Sequence, residues 1–292
     1  MADFQKQTVQ WFPGHMARTR RLIRESLPLV DAVTELLDAR CPLSSRNPEL
    51  AEMIGDKPHI VLLNKCDLAD PEKTAAFQKY FDARGEHSLA VDCRSGKGLR
   101  AYPDLVRTVL KDRIEANRAR GMAGRALRIM VVGIPNTGKS SFINRMAGKS
   151  RAKVADRPGV TRQNQWFAIG SGIELLDTPG VLWPKFEDER VGNTLAFIGS
   201  VKDEVLDSET LAFRLIEFLK RDYPAALEQR YQLDHAAETE PLELFDRIGQ
   251  RRGMLLRGGE IDYERVSNML LDEFRGGLLG RITVDSIPEE RA

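Results

Sequence analysis

Five short apolar runs in the first two thirds of the chain share one pattern: each ends on a polar or turn-forming residue. Val33-Thr34-Glu35-Leu36-Leu37 ends at Asp38-Ala39-Arg40, and His59-Ile60-Val61-Leu62-Leu63 ends at Asn64. Ser88-Leu89-Ala90-Val91 ends at Asp92-Cys93, Leu127-Arg128-Ile129-Met130-Val131-Val132 at Gly133, and Ile173-Glu174-Leu175-Leu176 at Asp177. Such short, nearly continuous apolar runs read as strands of a parallel sheet buried on both faces. Helical patterns lie between them, over 71–84 and 101–120. Strand alternating with helix predicts a doubly wound α/β domain with its ligand groups along the carboxyl edge of a mostly parallel sheet.

Past Gly199 the period changes. Leu211, Leu215, Ile216, Phe218 and Leu219 recur at helical spacing, as do Leu242, Phe245 and Ile248, then Tyr263, Val266, Leu270 and Phe274. These positions, Leu242, Phe245 and Leu270 among them, predict the core of a small all-helical domain over 205–285, behind a nucleotide domain of residues 1–200. Gly258-Gly259 and Gly276-Gly277 read as helix breaks. The chain past Thr283 reads as frayed, with 286–292 as its tail. There is no internal repeat and no low-complexity tract.

Composition adds little until charge is mapped. Lys plus Arg is 44 and Asp plus Glu is 43, so the balance is near neutral. Residues 139–162 nevertheless hold Lys139, Arg145, Lys149, Arg151, Lys153, Arg157 and Arg162 against Asp156 alone. An acidic stretch over 185–243 follows, and then Arg247, Arg251, Arg252 and Arg257. Such asymmetry suits a nucleic-acid-facing side, although solvated helix faces also carry charge runs. The three cysteines, Cys41, Cys66 and Cys93, are isolated, which predicts neither a zinc site nor a disulfide framework and fits a reducing, cytoplasmic setting. Met1-Ala2-Asp3-Phe4-Gln5 has no signal-peptide pattern, and no apolar run is long enough to span a membrane. Nothing suggests an obligate dimer, so a monomer is expected.

Candidate chemistry begins with Gly133-Ile134-Pro135-Asn136-Thr137-Gly138-Lys139-Ser140, between a predicted strand and a helical pattern over 142–146. That is the context of a phosphate loop. Its glycines let backbone N–H groups approach phosphates, and the helix amino terminus adds a favourable dipole. Pro135, Asn136, Thr137, Gly138, Lys139, Ser140 and Ser141 are the predicted nucleotide contacts. Lys139 is expected at the β- and γ-phosphates, and the Ser140 hydroxyl on Mg²⁺. Asp177-Thr178-Pro179-Gly180 supplies a Mg²⁺-holding acid in Asp177 and a γ-phosphate donor in the Gly180 N–H. Thr161, after Pro158-Gly159-Val160, is the candidate switch threonine sensing Mg²⁺ and γ-phosphate.

Asn64-Lys65-Cys66-Asp67 is a guanine reader. The Asp67 carboxylate can accept from the guanine N1–H and exocyclic amine, donors that adenine lacks there, so GTP and GDP are favoured over adenine nucleotides. Lys65 can lay its stem on the base, Asn64 can tie neighbouring loops together, and the loop holding Cys93 and Arg94 can cover the guanine carbonyl with backbone N–H groups. The base reader precedes the phosphate loop, the reverse of the ordinary order. The domain therefore reads as circularly permuted.

With these motifs in place the chain resembles the YlqF/RbgA family of circularly permuted ribosome-assembly GTPases. The resemblance rests on Trp11-Phe12-Pro13-Gly14-His15-Met16, Leu37-Asp38-Ala39-Arg40, Ser45-Arg46-Asn47-Pro48, Asn64-Lys65-Cys66-Asp67, the 133–140 loop and Asp177-Thr178-Pro179-Gly180, in that order. It implies GTP hydrolysis coupled to late maturation of the large ribosomal subunit precursor, stimulated by the particle, and a carboxy-terminal helical domain contacting rRNA. One departure is visible: Asp92-Cys93-Arg94 stands where the family usually carries Ser-Ala-Lys.

A Ras-like enzyme places a water-orienting Gln directly after Asp-x-x-Gly, whereas this chain has Val181 followed by Leu182. Slow intrinsic turnover is expected. The resemblance offers two replacements. Asn136 matches an asparagine that holds K⁺ in related enzymes, and His15 matches a histidine proposed to act on the attacking water. Capping of the loop by Asn136, and packing or solvation of His15, are the plainer readings. For the ribosome, Arg18, Arg20, Arg21 and Arg24 near the amino terminus and Arg247, Arg251 and Arg252 further on suit RNA phosphates by their forked donors. Trp11 and Phe12 suit base stacking or core packing. Two other functions stay open: an RNA-binding module with incidental hydrolysis, and a small-subunit assembly GTPase. The latter family carries an amino-terminal oligonucleotide-binding barrel and a zinc-binding region, and this chain has neither the length before Asn64 nor the ligand cluster.

Overall fold

Every residue of Ala32–Asp38, the first strand β1, is buried. It lies centrally in a six-stranded sheet with β2 (His59–Asn64), β3 (His87–Ala90), β4 (Leu127–Val132), β5 (Gln165–Ala168) and β6 (Ile173–Asp177), in the order β3-β2-β1-β4-β6-β5. All pairs are parallel except β5 with β6. The structure is a computed structural model and describes residues 15–148, 165–183, 188–201 and 207–288, with backbone alone at 15–17.

Strand pleating sorts the apolar runs into two cores. Leu36, Ile60 and Leu62 join Tyr102, Val106, Phe142 and Ile143 in one, while Leu37, Val61 and Leu63 join Phe77 and Phe81 in the other. From β1 the chain winds outward to β2 and β3, then returns to β4 on the other side of β1. The switch point thus lies between β1 and β4, where open α/β sheets place their ligands.

The helices follow their sequence signals. Helix α1 spans His15–Ser26, and α2 (Pro48–Ile54) is capped by Asn47, with Pro48 in its first turn. Helix α3 (Pro71–Asp82) is capped by Asp70, which accepts from the Glu72 and Lys73 N–H groups. The pattern over 101–120 resolves into two helices, α4 (Tyr102–Val109) and α5 (Lys111–Ala119), with a break at Leu110. Helix α6 (Lys139–Ala147) starts directly from Gly138.

Two compact units result, and their boundary differs from the expected one. Among the described residues, 15–183 and 283–288 form one unit and 188–282 the other. The helical unit starts before 200, because α7 (Glu189–Phe197) packs on α8 (Ser208–Asp222) and α11 (Tyr263–Arg275). Phe197 meets Phe274 edge to face, and Arg275 Nε donates to the Phe197 carbonyl at 3.1 Å. Helices α9 (Pro224–Tyr231) and α10 (Pro241–Arg251) complete the unit. Phe245 and Leu270 are buried as expected of core positions, but Leu242 is 53 % exposed, because it precedes the buried face of α10 that starts at Leu244.

The expected fraying past Thr283 is corrected for Val284 and Asp285. Val284 N donates to the Arg40 carbonyl at 2.7 Å, and the Thr283 carbonyl accepts from Lys73 Nζ at 3.1 Å. The Asp285 carboxylate accepts from Leu43 N, Ser44 N and Ser44 Oγ at 2.7, 2.8 and 2.6 Å. The chain leaves the sheet unit after 183 and returns to it at 283. Residues 289–292 lie outside the described residues.

Candidate functional site

The loop after β4 turns tightly because its glycines allow it. Gly133 has φ +148°, and a Cβ there would lie 2.6 Å from the Leu36 carbonyl oxygen of β1. Gly138 has φ +96° and opens α6, so the first N–H groups of that helix face the loop. Inside the loop Thr137 Oγ1 donates to the Ile134 carbonyl at 3.0 Å, and Asn136 is exposed at φ +62°. Pro135 is buried, and Ser140 and Ser141 are half-buried in the first turn of α6.

Lys139 is buried, and its Nζ donates to the Gly133 and Ile134 carbonyls at 3.0 and 2.7 Å. Burial lowers its pKa to about 8, against the opposing pull of Asp177. Asp177 ends β6, is buried, and stands in register with Val131 of β4. Thr178 Oγ1 donates to the Val131 carbonyl at 2.7 Å. Gly180 backs onto the loop so closely that a Cβ would lie 2.9 Å from Pro135 N and 3.0 Å from Lys139 Nζ. Val181 N donates to the Gly133 carbonyl at 3.3 Å, and the Val181 side chain is only 1 % exposed.

The base-reader loop meets the phosphate loop through one residue. Asn64 Nδ2 donates to the Thr137 carbonyl at 2.7 Å, and Asn64 Oδ1 accepts from Cys93 N at 2.9 Å. Lys65 sits at φ +60° with its Nζ 2.9 Å from Asp38 Oδ2. Asp67 is half-buried beside it. The Cys93 and Arg94 N–H groups, expected over a guanine carbonyl, have protein partners here. Cys93 N is taken by Asn64, and Arg94 N donates to Asp92 Oδ1 at 2.8 Å, because an Asp at 92 forms its own turn. The Arg94 side chain is exposed.

Beneath this edge lies a buried pair, Asp38 and Arg40, whose role no motif spells out. Arg40 grips Asp38 with two parallel bonds, Nε to Oδ1 at 3.0 Å and Nη2 to Oδ2 at 2.9 Å. Burial pushes the Asp38 carboxyl up, but Arg40 and Lys65 outweigh it and hold the group well below the usual carboxylate range. Ser45 Oγ accepts from Asp38 N at 3.0 Å. The sequence signal was only that Asp38, Arg40 and Ser45 lie in the two quoted motifs after β1. Thr161 and the side chain of His15 lie outside the described residues.

A family model described as 50S ribosome-binding GTPase matches residues 128–235, starting at β4 and so omitting the strand that ends in the base reader. Ribosome biogenesis GTPase A of Priestia megaterium is 48 % identical over 283 residues, 97 % of this chain and 98 % of that protein. The chain belongs to the ribosome biogenesis GTPase A family. Mitochondrial ribosome-associated GTPase 1 of Bos taurus is 33 % identical, over 96 % of this chain and 89 % of its own. The solved structure of GDP-bound YlqF has a TM-score of 0.66 at 27 % identity, covering 90 % of this chain and 97 % of that one. Membership makes the chain a GTPase built on a phosphate-loop α/β fold.

Proposed function

We propose that this GTPase binds the precursor of the large ribosomal subunit and uses GTP hydrolysis to time late assembly and its own release. The carrying observation is the Asn64 tie between base reader and phosphate loop, in a chain of the ribosome biogenesis GTPase A family. The description of the matching family model as 50S ribosome-binding supports the choice of subunit. The role fits a cytoplasmic protein, and no described helix is long and apolar enough to cross a membrane.

In this reading Asp67 accepts from guanine, and Lys65, its ammonium fixed by Asp38, offers its stem to the base. The loop N–H groups and Lys139 hold the phosphates, and Gly180 N–H meets the γ-phosphate. The Cys93 N–H bond to Asn64 sets the 92–94 loop beside the base reader. The oxygen donors Ser140 and Asp177 fit Mg²⁺, a hard cation that takes one or two protein oxygens beside phosphates and water. Thr161 would join them. When bound, Mg²⁺ neutralises charge on the β- and γ-oxygens. Asn136, exposed on the loop, would hold K⁺. Val181 is buried and apolar and offers the attacking water nothing; the family resemblance gives that role to His15.

Arginines supply the ribosome-facing charge. On α1, Arg18 and Arg24 are exposed, while Arg20 pairs with Glu49 and Arg21 with Glu25. Near the end of α10, Arg247 pairs with Glu243 and Arg252 with Glu273, so Arg251 and Arg257 are the ones offered to phosphates. Such binding is strongly salt-sensitive. Co-sedimentation with purified subunits, and turnover with and without them, test the reading. Large-subunit binding in the GTP state and stimulated turnover are expected. Unstimulated turnover would make the protein an RNA-binding module, and small-subunit binding would refute the assignment. His15→Ala should lose stimulated turnover at unchanged GTP affinity, and equal rates in K⁺ and Na⁺ would remove Asn136 from the mechanism.

A further inference from the structure

Asn47 is fully buried between two unrelated segments. Its Oδ1 accepts from Glu49 N at 3.0 Å and so caps α2. Its Nδ2 donates to the Val181 carbonyl at 3.1 Å, across 134 positions of sequence. A cap needs only an acceptor, and Asp or Ser serves a helix amino terminus as well as Asn. The donor is the part of this side chain that the cap leaves unexplained, and Val181 takes it.

Val181 is therefore held from both sides. Its N–H reaches the Gly133 carbonyl, which also accepts from Lys139 Nζ, and its carbonyl is held by Asn47. The two bonds hold the peptide units on either side of Val181, the first of which joins it to Gly180, and so limit how the Gly180 backbone, with its own N–H one unit back, can turn. The peg is itself supported: Glu49, in the first turn of α2, pairs with Arg20 of α1 at 3.1 Å.

We propose that Asn47 is a positioning residue for GTP hydrolysis, holding the Val181 carbonyl so that the Gly180 N–H stays aimed at the γ-phosphate. This rests on the reading of the nucleotide site given above. Asn47 touches no reacting atom, so its effect appears in recognition of the γ-phosphate and in turnover. GDP binding is spared.

Asn47→Asp and Asn47→Ser, made in the full chain, separate the two tasks. Both keep an acceptor for Glu49 N. Asp sets a second acceptor against the Val181 carbonyl, and Ser is too short to reach it. The expected result is a kcat lowered tenfold or more in both, a GTP-analogue affinity lowered relative to GDP, a GDP affinity close to the parent's, and a melting temperature lower by a few degrees because the buried Val181 carbonyl loses its donor. Unchanged kcat in both variants would overturn the proposal. So would parallel losses of GDP affinity, GTP-analogue affinity and melting temperature, which mark a purely structural residue. Gly180→Ala run alongside distinguishes the two levels. If it is impaired while the Asn47 variants are normal, only the positioning role fails. If it discriminates GTP from GDP as the parent does, the site reading fails and the Asn47 role falls with it.

Discussion

Asn64 donates its side-chain amide to the Thr137 carbonyl at 2.7 Å, joining two loops that lie 73 positions apart in reversed order. The 64–67 and 133–140 loops are thus tied together at one sheet edge despite the permutation. Asn64→Ala leaves the Thr137 carbonyl and the Cys93 N–H without their buried partner, at about 1–3 kcal/mol each. Binding of GDP and GTP should weaken together, on the order of tenfold to a hundredfold, as read by titration with labelled nucleotides. Gly138→Ala should do at least as much harm, since its Cβ would lie 2.3 Å from Asn64 Nδ2 at φ +96°.

Lys139 should make nucleotide binding a proton-linked event. Its pKa is lowered to about 8 by burial. Phosphate oxygens favour the ammonium and raise that value on binding. Below pH 7 the lysine is charged in both states, and no proton is exchanged. Near pH 9 binding should take up close to one proton, and affinity should fall up to about tenfold per further pH unit. Calorimetry in buffers of different ionisation enthalpy measures the uptake.

A second titration acts on stability. Burial disfavours protonated His59, but Glu35 at 3.2 Å and Glu86 at 3.6 Å outweigh it and raise its pKa from 6.5 to about 9. The stabilisation is complete below pH 6.5 and is lost as pH rises through 9. The size is roughly 3 kcal/mol. Urea unfolding at pH 6 and pH 9.5 should show this drop, and His59→Gln should flatten it.

Asp285 should matter for the sheet unit although it lies near the end of the chain. Asp285→Ala strips Leu43 N, Ser44 N and Ser44 Oγ of their acceptor. A loss of about 2 kcal/mol is expected, read as a lower denaturant midpoint. Asp285→Asn, which keeps one acceptor oxygen, should lose less.

What the sequence disclosed was what is local in it. β1, β2, β4 and β6 announce themselves because strands buried on both faces leave continuous apolar runs. β5 does not: Gln165 and Trp166 are exposed and Phe167 alone is buried, so the run resembles a loop. Helix α7 is a nine-residue segment, and its core role appears only against α8 and α11. The 133–140 loop and the 64–67 reader were legible because each motif is contiguous. The Asn47 bond to Val181 and the Asp285 clamp were not, because each spans more than a hundred residues and uses a side chain with a plausible local task.

The departure of the chain after Trp183 and its return at Thr283 make the helical unit a cassette set into the sheet unit, with two ports instead of one. The outgoing port is three residues past Gly180, and the incoming one is bonded to the Asp38-Ala39-Arg40 turn through Arg40. Lengthening or replacing the insert leaves both ports where they are. Any insert placed there is joined by chain to the Gly180 turn at one port and to the Asp38-Ala39-Arg40 turn at the other.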